Sequence, residues 1–142
     1  MALKIRKPVS SDLDRISNLL RQLGYNPPIA GIEESINSTA GEVYVAEASG
    51  IIIGLMSVIY FDYFPTTQKI CRITSIVVDE TQRSQGIGFK LIEFAESESK
   101  QRHCVGVEIT TSTKRHETHA YYEKLGFDKT SFRYYKSSEN SI

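Results

Sequence analysis

Apolar residues recur along this chain with two periods. At Leu13, Ile16, Leu19, Leu20 and Leu23 the spacing is three and four, which lays one stripe along a helix. Ser11-Asp12-Leu13-Asp14 gives that helix a capping-box pattern, and Gly24 stands where it should stop. Asn26-Pro27-Pro28 forces a loop, and Ile29–Thr39 carries a weaker helical pattern. Leu3–Lys7, Glu42–Ala48 (EVYVAEA), Ile51–Tyr60 (IIIGLMSVIY) and Ile70–Asp79 (ICRITSIVVD) are instead β-rich runs. Ser49-Gly50 between the second and third is a hairpin signal, while Phe61–Thr67, with Pro65, reads as an aromatic loop.

Beyond Asp79 the helical period returns. Ile87, Leu91, Phe94 and Ala95 make a buried face, with Lys90, Glu93, Glu96 and Lys100 outside. Cys104–Thr111 (CVGVEITT) alternates as a strand, with Val105, Val107 and Ile109 on one face and Gly106 and Glu108 on the other. A short helix over His116–Leu125 should stop at Gly126, and Ser131–Lys136 reads as a last strand. This order predicts a mixed α/β (α+β) fold, with a strand meander in the middle and a β-α-β unit late. No repeat, low-complexity tract or linker interrupts it, so residues 1–142 are expected to form a single domain.

Composition narrows the classes. Lysine plus arginine (17) equals aspartate plus glutamate (17), so no bulk charge points to nucleic acid or to an anionic membrane. No apolar run approaches the roughly 18–20 residues of a bilayer span. The start, MALKIRKPVSSDL, lacks the apolar core of a signal peptide. Cys71 and Cys104 form no CxxC pair, and as buried free thiols they suggest the reducing cytoplasm.

The candidate chemistry starts at Arg83-Ser84-Gln85-Gly86-Ile87-Gly88-Phe89, where two glycines open a helix. The first amides of a helix lack internal partners and carry the positive end of its dipole, so a strand, a glycine turn and a helix in succession can hold a phosphate. A turn whose glycines serve packing alone is the competing reading. Leu91 stands where GxGxxG needs its third glycine, and no GK[ST] is present, so neither dinucleotide nor Walker motif fits.

Arg83-x-x-Gly86-x-Gly88, after a strand ending Ile76-Val77-Val78-Asp79, resembles the acetyl-CoA motif of the GCN5-related N-acetyltransferase (GNAT) superfamily. Ala120-Tyr121-Tyr122-Glu123-Lys124-Leu125-Gly126-Phe127 is similar to a further segment of that family, and Ile5-Arg6-Lys7-Pro8 with Asp12-Leu13 to its opening. The resemblance implies a mixed, mostly antiparallel sheet of about six to seven strands flanked by about four helices, with a parallel pair that splays apart. It implies acetyl-CoA as co-substrate, lying between Ile70–Asp79 and Cys104–Thr111. Backbone at Ile76, Val77 and Val78 would pair with the pantetheine arm. Amides of Ser84, Gln85, Gly86, Ile87, Gly88 and Phe89 would hold the pyrophosphate, with Arg83 at the rim. Direct transfer to a primary amine through a tetrahedral intermediate is the implied reaction.

Tyr122 matches the family's general acid; packing in the core is the alternative, although Tyr121, paired with Leu125, is the better core candidate. Many relatives carry a carboxylate where Thr74 and Ser75 stand here, so Glu108 on the next strand is the candidate base, unless it only faces solvent. His116-Glu117-Thr118-His119 spaces its histidines at i,i+3 rather than i,i+4 and brings no third ligand, so no metal is expected. Lys114 and Arg115 beside it suit cofactor phosphates or a solvated basic turn. Tyr60, Phe61, Tyr63 and Phe64 could wall the acceptor pocket or bury one another. The expected partner is a small-molecule amine or a peptide, with no nucleic acid or membrane, and a homodimer is compatible. A non-catalytic acyl-CoA-binding domain on the same fold is the alternative function.

Overall fold

A computed structural model of the chain describes residues 2–38 and 41–140. These fall into two compact units, one ending at Thr110 and the other starting at Thr111.

The first unit is a five-stranded sheet with helices on both faces. Strands β1 (Leu3–Arg6), β2 (Glu42–Ala48), β3 (Ile51–Tyr63), β4 (Gln68–Val78) and β5 (Gly106–Ile109) lie side by side in chain order. The first three contacts are antiparallel; β4 and β5 run parallel, joined by the crossover helix α3 (Ile87–Gln101). The β2–β3 hairpin turns on Ser49 (φ +52°) and Gly50 (φ +78°), two left-handed residues as a type I′ turn requires. The predicted aromatic loop is mostly strand. β3 continues to Tyr63 and β4 begins at Gln68, so only Phe64–Thr67 turns. β-branched and aromatic side chains suit a pleated ladder better than a free loop.

Helices α1 (Leu13–Leu23) and α2 (Ile29–Ile36) cover one face. Ile16 and Leu19 of α1 and Ile32 of α2 pack with Val45, Ile52, Leu55 and Val77 of the sheet. Gly24 ends α1 at φ +109°, and the Tyr25 amide reaches back to the Leu20 carbonyl at 2.9 Å, closing a Schellman motif. The start of α1 differs from the expected capping box. Ser10–Asp12 form a 3-10 turn, and the Asp12 carboxylate accepts the Val9 amide (2.8 Å) and two hydrogen bonds from Arg6. The charge-assisted pair of bonds from the Arg6 guanidinium fixes the Asp12 carboxylate in this turn. The predicted end of α2 at Thr39 lies outside the described residues; among them α2 stops at Ile36.

On the other face α3 buries Ile87, Leu91, Ile92 and Ala95. It approaches the sheet over Gly54, where a Cβ would meet Ala46 Cβ at 3.1 Å and Leu91 Cδ1 at 3.3 Å. That absent side chain sets how near the helix lies. Cys71 is buried and Cys104 half-buried, both as free thiols, and burial pushes the Cys71 thiol up to about 11. Cys104 and Val105 precede β5, and Val105 is exposed.

The second unit carries α4 (His116–Lys124), closed by Gly126 at φ +95°. The predicted strand Ser131–Lys136 is not formed: Phe132, Tyr134 and Tyr135 are exposed, and no ladder includes them. A strand needs a partner for its N–H and C=O groups, and this unit contains no other strand among the described residues. The sheet accordingly has five strands rather than six or seven. No helix among the described residues is long and apolar enough to cross a membrane.

Candidate active site

β5 accompanies β4 only from Ile70 to Ile73, where Ile73 faces Ile109. Past that point β4 is laddered on β3 alone, with Ile76, Val77 and Val78 opposite Met56, Leu55 and Gly54. Its other edge is thereby presented over residues 74–78, and an extended ligand with amide groups could complete it. Val77 is buried in the α1 core, which holds this edge in place, and Ile76 and Val78 are half-buried. The structure thus brings all three predicted strand residues to one open edge.

The chain leaves that edge through a knot of hydrogen bonds. Asp79, only 4% exposed, accepts from the Thr81 amide (2.9 Å), the Thr81 hydroxyl (2.5 Å) and Gln22 Nε2 (3.3 Å), and pairs with Arg15. The Glu80 amide donates back to Gln22 Oε1 at 2.9 Å, and Arg15 Nε donates to the Ile52 carbonyl at 2.8 Å. The Thr81 donors, followed by Arg15 and Gln22, outweigh the cost of burial and hold the Asp79 carboxyl far below the usual carboxylate range. Sequence reading missed this residue, although Asp-x-Thr after a strand is a recognisable capping signal.

From this anchor the turn 80–86 rises to α3. Ser84 (φ +66°) and Gly86 (φ +80°) are left-handed, and such residues curl successive amides into anion-binding concavities. A Cβ at Gly86 would meet nothing within 4 Å, so glycine is there for its backbone angle and leaves open space above it. The first helical bond runs from Lys90 to the Gly86 carbonyl (3.1 Å), so the amides of Ile87, Gly88 and Phe89 have no partner inside the helix. Ile87, 3% exposed, pins this turn to the sheet, while Ser84, Gln85 and Phe89 are exposed. Arg83 is exposed and folds back so that its Nε donates to the Val78 carbonyl at 3.3 Å. The predicted phosphate residues therefore share one surface turn that begins where the open edge ends.

The candidate base is less free than expected. Glu108 faces Arg72 across the parallel pair and forms an ion pair with its Nε. Arg72 also lies 4.8 Å from the Phe61 ring centroid. The four aromatics of β3 and its turn do not make one wall. Phe61 packs under Arg72, Tyr60 under Arg102 (4.2 Å), and Tyr63 and Phe64 are exposed, because successive strand residues alternate faces.

Sequence reading also missed a hydroxyl cluster. Between Ser57 and Val58 the β3–β4 register slips, leaving Thr74 as a bulge. There Ser57 Oγ lies 2.7 Å from Thr74 Oγ1 and bonds Ser75 Oγ, and Thr74 donates to the Ser57 carbonyl at 3.2 Å.

In the second unit the order of burial in α4 is the reverse of that expected: Tyr122 is half-buried and Tyr121 is 40% exposed. The Tyr122 ring meets Phe127 edge-on at 6.0 Å, and burial pushes its phenol up to about 12. His119 Nε2 donates to the Ser112 carbonyl at 2.7 Å, which gives the histidine pair a structural task. Among the described residues no group of three or more His, Cys, Asp or Glu could hold a metal ion.

The sequence model of the acetyltransferase (GNAT) family matches residues 13–127. The chain belongs to the GNAT acetyltransferase family. A glucosamine 6-phosphate N-acetyltransferase of Trypanosoma brucei brucei is 30% identical over 88% of this chain and 88% of its own. An aminoalkylphosphonate N-acetyltransferase of Salmonella typhimurium is 24% identical over 94% of this chain and 90% of its own. Among solved structures, an aminoglycoside N-acetyltransferase in complex with CoA superposes with a TM-score of 0.82 at 20% identity, covering 96% of this chain and 95% of its own. This GNAT protein is an N-acetyltransferase that transfers acetyl groups to amines.

Proposed function

We propose that the protein transfers the acetyl group of acetyl-CoA directly to a primary amine, with residues 1–142 acting as one catalytic domain. The observation that carries this reading is the continuity of two features: the β4 edge released after Ile73, and the left-handed turn that starts α3. The first suits the amide-bearing pantetheine arm, the second the pyrophosphate. Acetyl-CoA supplies the acyl group and a thiol leaving group. Ile76, Val77 and Val78 hold the arm by backbone, and amides from Ser84 to Phe89 hold the phosphates, with Arg83 able to swing from the Val78 carbonyl towards them. A backbone N–H at Val77 or Val78 stabilises the oxyanion.

Tyr122 serves as hydrogen-bond donor to the departing sulfur. With a phenol near 12 and a thiol near 8.5, complete proton transfer would be uphill by about 5 kcal/mol, so the phenol donates a hydrogen bond without giving up its proton. Glu108 is the carboxylate proposed to take the amine proton, through water, on the oxygen that does not pair with Arg72. An amine of pKa near 10.4 costs about 4–5 kcal/mol to deprotonate at pH 7, so some acceptor for that proton matters. Calorimetric titration with CoA and acetyl-CoA, followed by an amine panel scored by CoA release, tests the proposal. Absence of any heat with both ligands would sink it.

A further inference from the structure

The slip at Thr74 lies one residue beyond the last β4–β5 pair, where the open edge begins. Ser57 and Ser75 face each other in register, and the hydroxyls of Ser57, Thr74 and Ser75 converge there. Bulges re-aim side chains, and this one brings three hydroxyls together on the sheet face that also carries Arg72 and Glu108. Above them is a shallow pocket of about 210 Å³, closed from the α2 side by Ser35 and Ser38 and floored by Ser57, Ile59 and Thr74. Its volume equals about seven waters, below the range of drug-sized ligand sites. No lysine or arginine lines it among the described residues, and Arg72, opposite Ile59, is committed to Glu108. A phosphate held in such a site would meet no counter-charge.

From this geometry we infer that the pocket over the bulge is the acceptor subsite, that it takes a small hydroxylated amine bearing no phosphate or phosphonate, and that Ser57, Thr74 and Ser75 position it. The inference rests on the acetyl-transfer reading and narrows its substrate class. It separates this chain from the two curated relatives, whose names specify a phosphorylated sugar and a phosphonate. The hydroxyls are too weakly acidic to act as the base. Ser57 and Thr74, which line the pocket, exchange hydrogen bonds with the acceptor and hold its nitrogen beside the open edge, and Ser75 orients the Ser57 hydroxyl.

The test uses two matched pairs, ethanolamine against phosphoethanolamine and glucosamine against glucosamine 6-phosphate, titrated calorimetrically into the protein saturated with CoA. At least one unphosphorylated member should bind about tenfold tighter than its phosphorylated partner. Ser57→Ala and Ser75→Ala should each weaken that amine about 2- to 10-fold, the worth of one hydrogen bond, with CoA affinity unchanged. Ser75→Thr, which keeps a hydroxyl, should retain most of the amine affinity, and in turnover the alanine variants should raise amine KM more than they lower kcat. Equal or tighter binding of both phosphorylated members overturns the inference. So does binding of no unphosphorylated member, or alanine variants with unaltered amine affinity. A wild-type protein that fails to bind CoA overturns the parent reading and this inference with it; the other outcomes, seen with CoA bound, strike the inference alone.

Discussion

Replacing Asp79 probes the link between α1 and the turn proposed to hold the cofactor phosphates. Its carboxylate is buried, caps the Glu80–Gln82 turn through the Thr81 amide, and pairs with Arg15, whose side chain is one-third exposed. Loss of such a cap costs about 1 kcal/mol. The partly exposed ion pair adds up to about 1 kcal/mol, because the freed guanidinium can turn to water. With the hydrogen bond from Gln22 also lost, Asp79→Ala should destabilise the protein by roughly 2–3 kcal/mol in urea unfolding at unchanged m. Asp79→Asn keeps the cap but opposes an amide NH₂ to Arg15 and Gln22, and should cost about half as much. Since the turn to Gly86 hangs on this anchor, CoA affinity should fall about tenfold in the alanine variant.

The pH dependence follows from the direction of the shift. A carboxyl depressed in the folded state contributes stability above its unfolded pKa of about 3.9, and that contribution is lost as pH falls towards the folded value. The stability gap between wild type and Asp79→Asn should therefore be flat from pH 8 to pH 5 and shrink below about pH 4. A double-mutant cycle with Arg15→Ala should show about 1 kcal/mol of coupling. Additive costs, or full CoA affinity in a destabilised Asp79→Ala protein, would refute the idea that this knot positions the turn.

Three further outcomes are expected. Gly86→Ala forces a left-handed angle on a residue with a Cβ, so stability should drop by about 1–2 kcal/mol and CoA affinity with it; a neutral substitution would mean the turn relaxes freely. Tyr122→Phe should lower kcat by about 10²-fold or more while CoA affinity holds, and unchanged turnover removes the tyrosine from the reaction. Glu108→Gln should flatten the acidic limb of the pH–rate profile; an identical profile would leave the proton to water alone.

The helices and most strands were readable because each carries its own periodicity and its own stops. Gly24 and Gly126 end their helices as expected, and Ser49-Gly50 turns its hairpin, since backbone angle is a local property. Expectation failed where the deciding partner is remote in sequence. Ser131–Lys136 has strand composition but, among the described residues, no strand beside it in its unit, and the expected Ser11 capping box gives way to a 3-10 turn whose Asp12 carboxylate is held by Arg6 of β1. The four aromatics before β4 could be read as a pocket wall or as burying one another, and strand alternation instead sends Tyr60 and Phe61 under different arginines.

The candidate site divides in the same way. Arg83–Phe89 could be singled out from sequence because a turn that offers consecutive backbone amides is built from neighbours in the chain. The sequence by itself determined the family, the fold class and that turn. Only the tertiary structure showed that β5 leaves β4 after Ile73, that Asp79 ties the turn to Arg15 and Gln22, and that a register slip gathers Ser57, Thr74 and Ser75. Each of these depends on register or burial between segments 17 to 64 residues apart, and no local pattern encodes that distance.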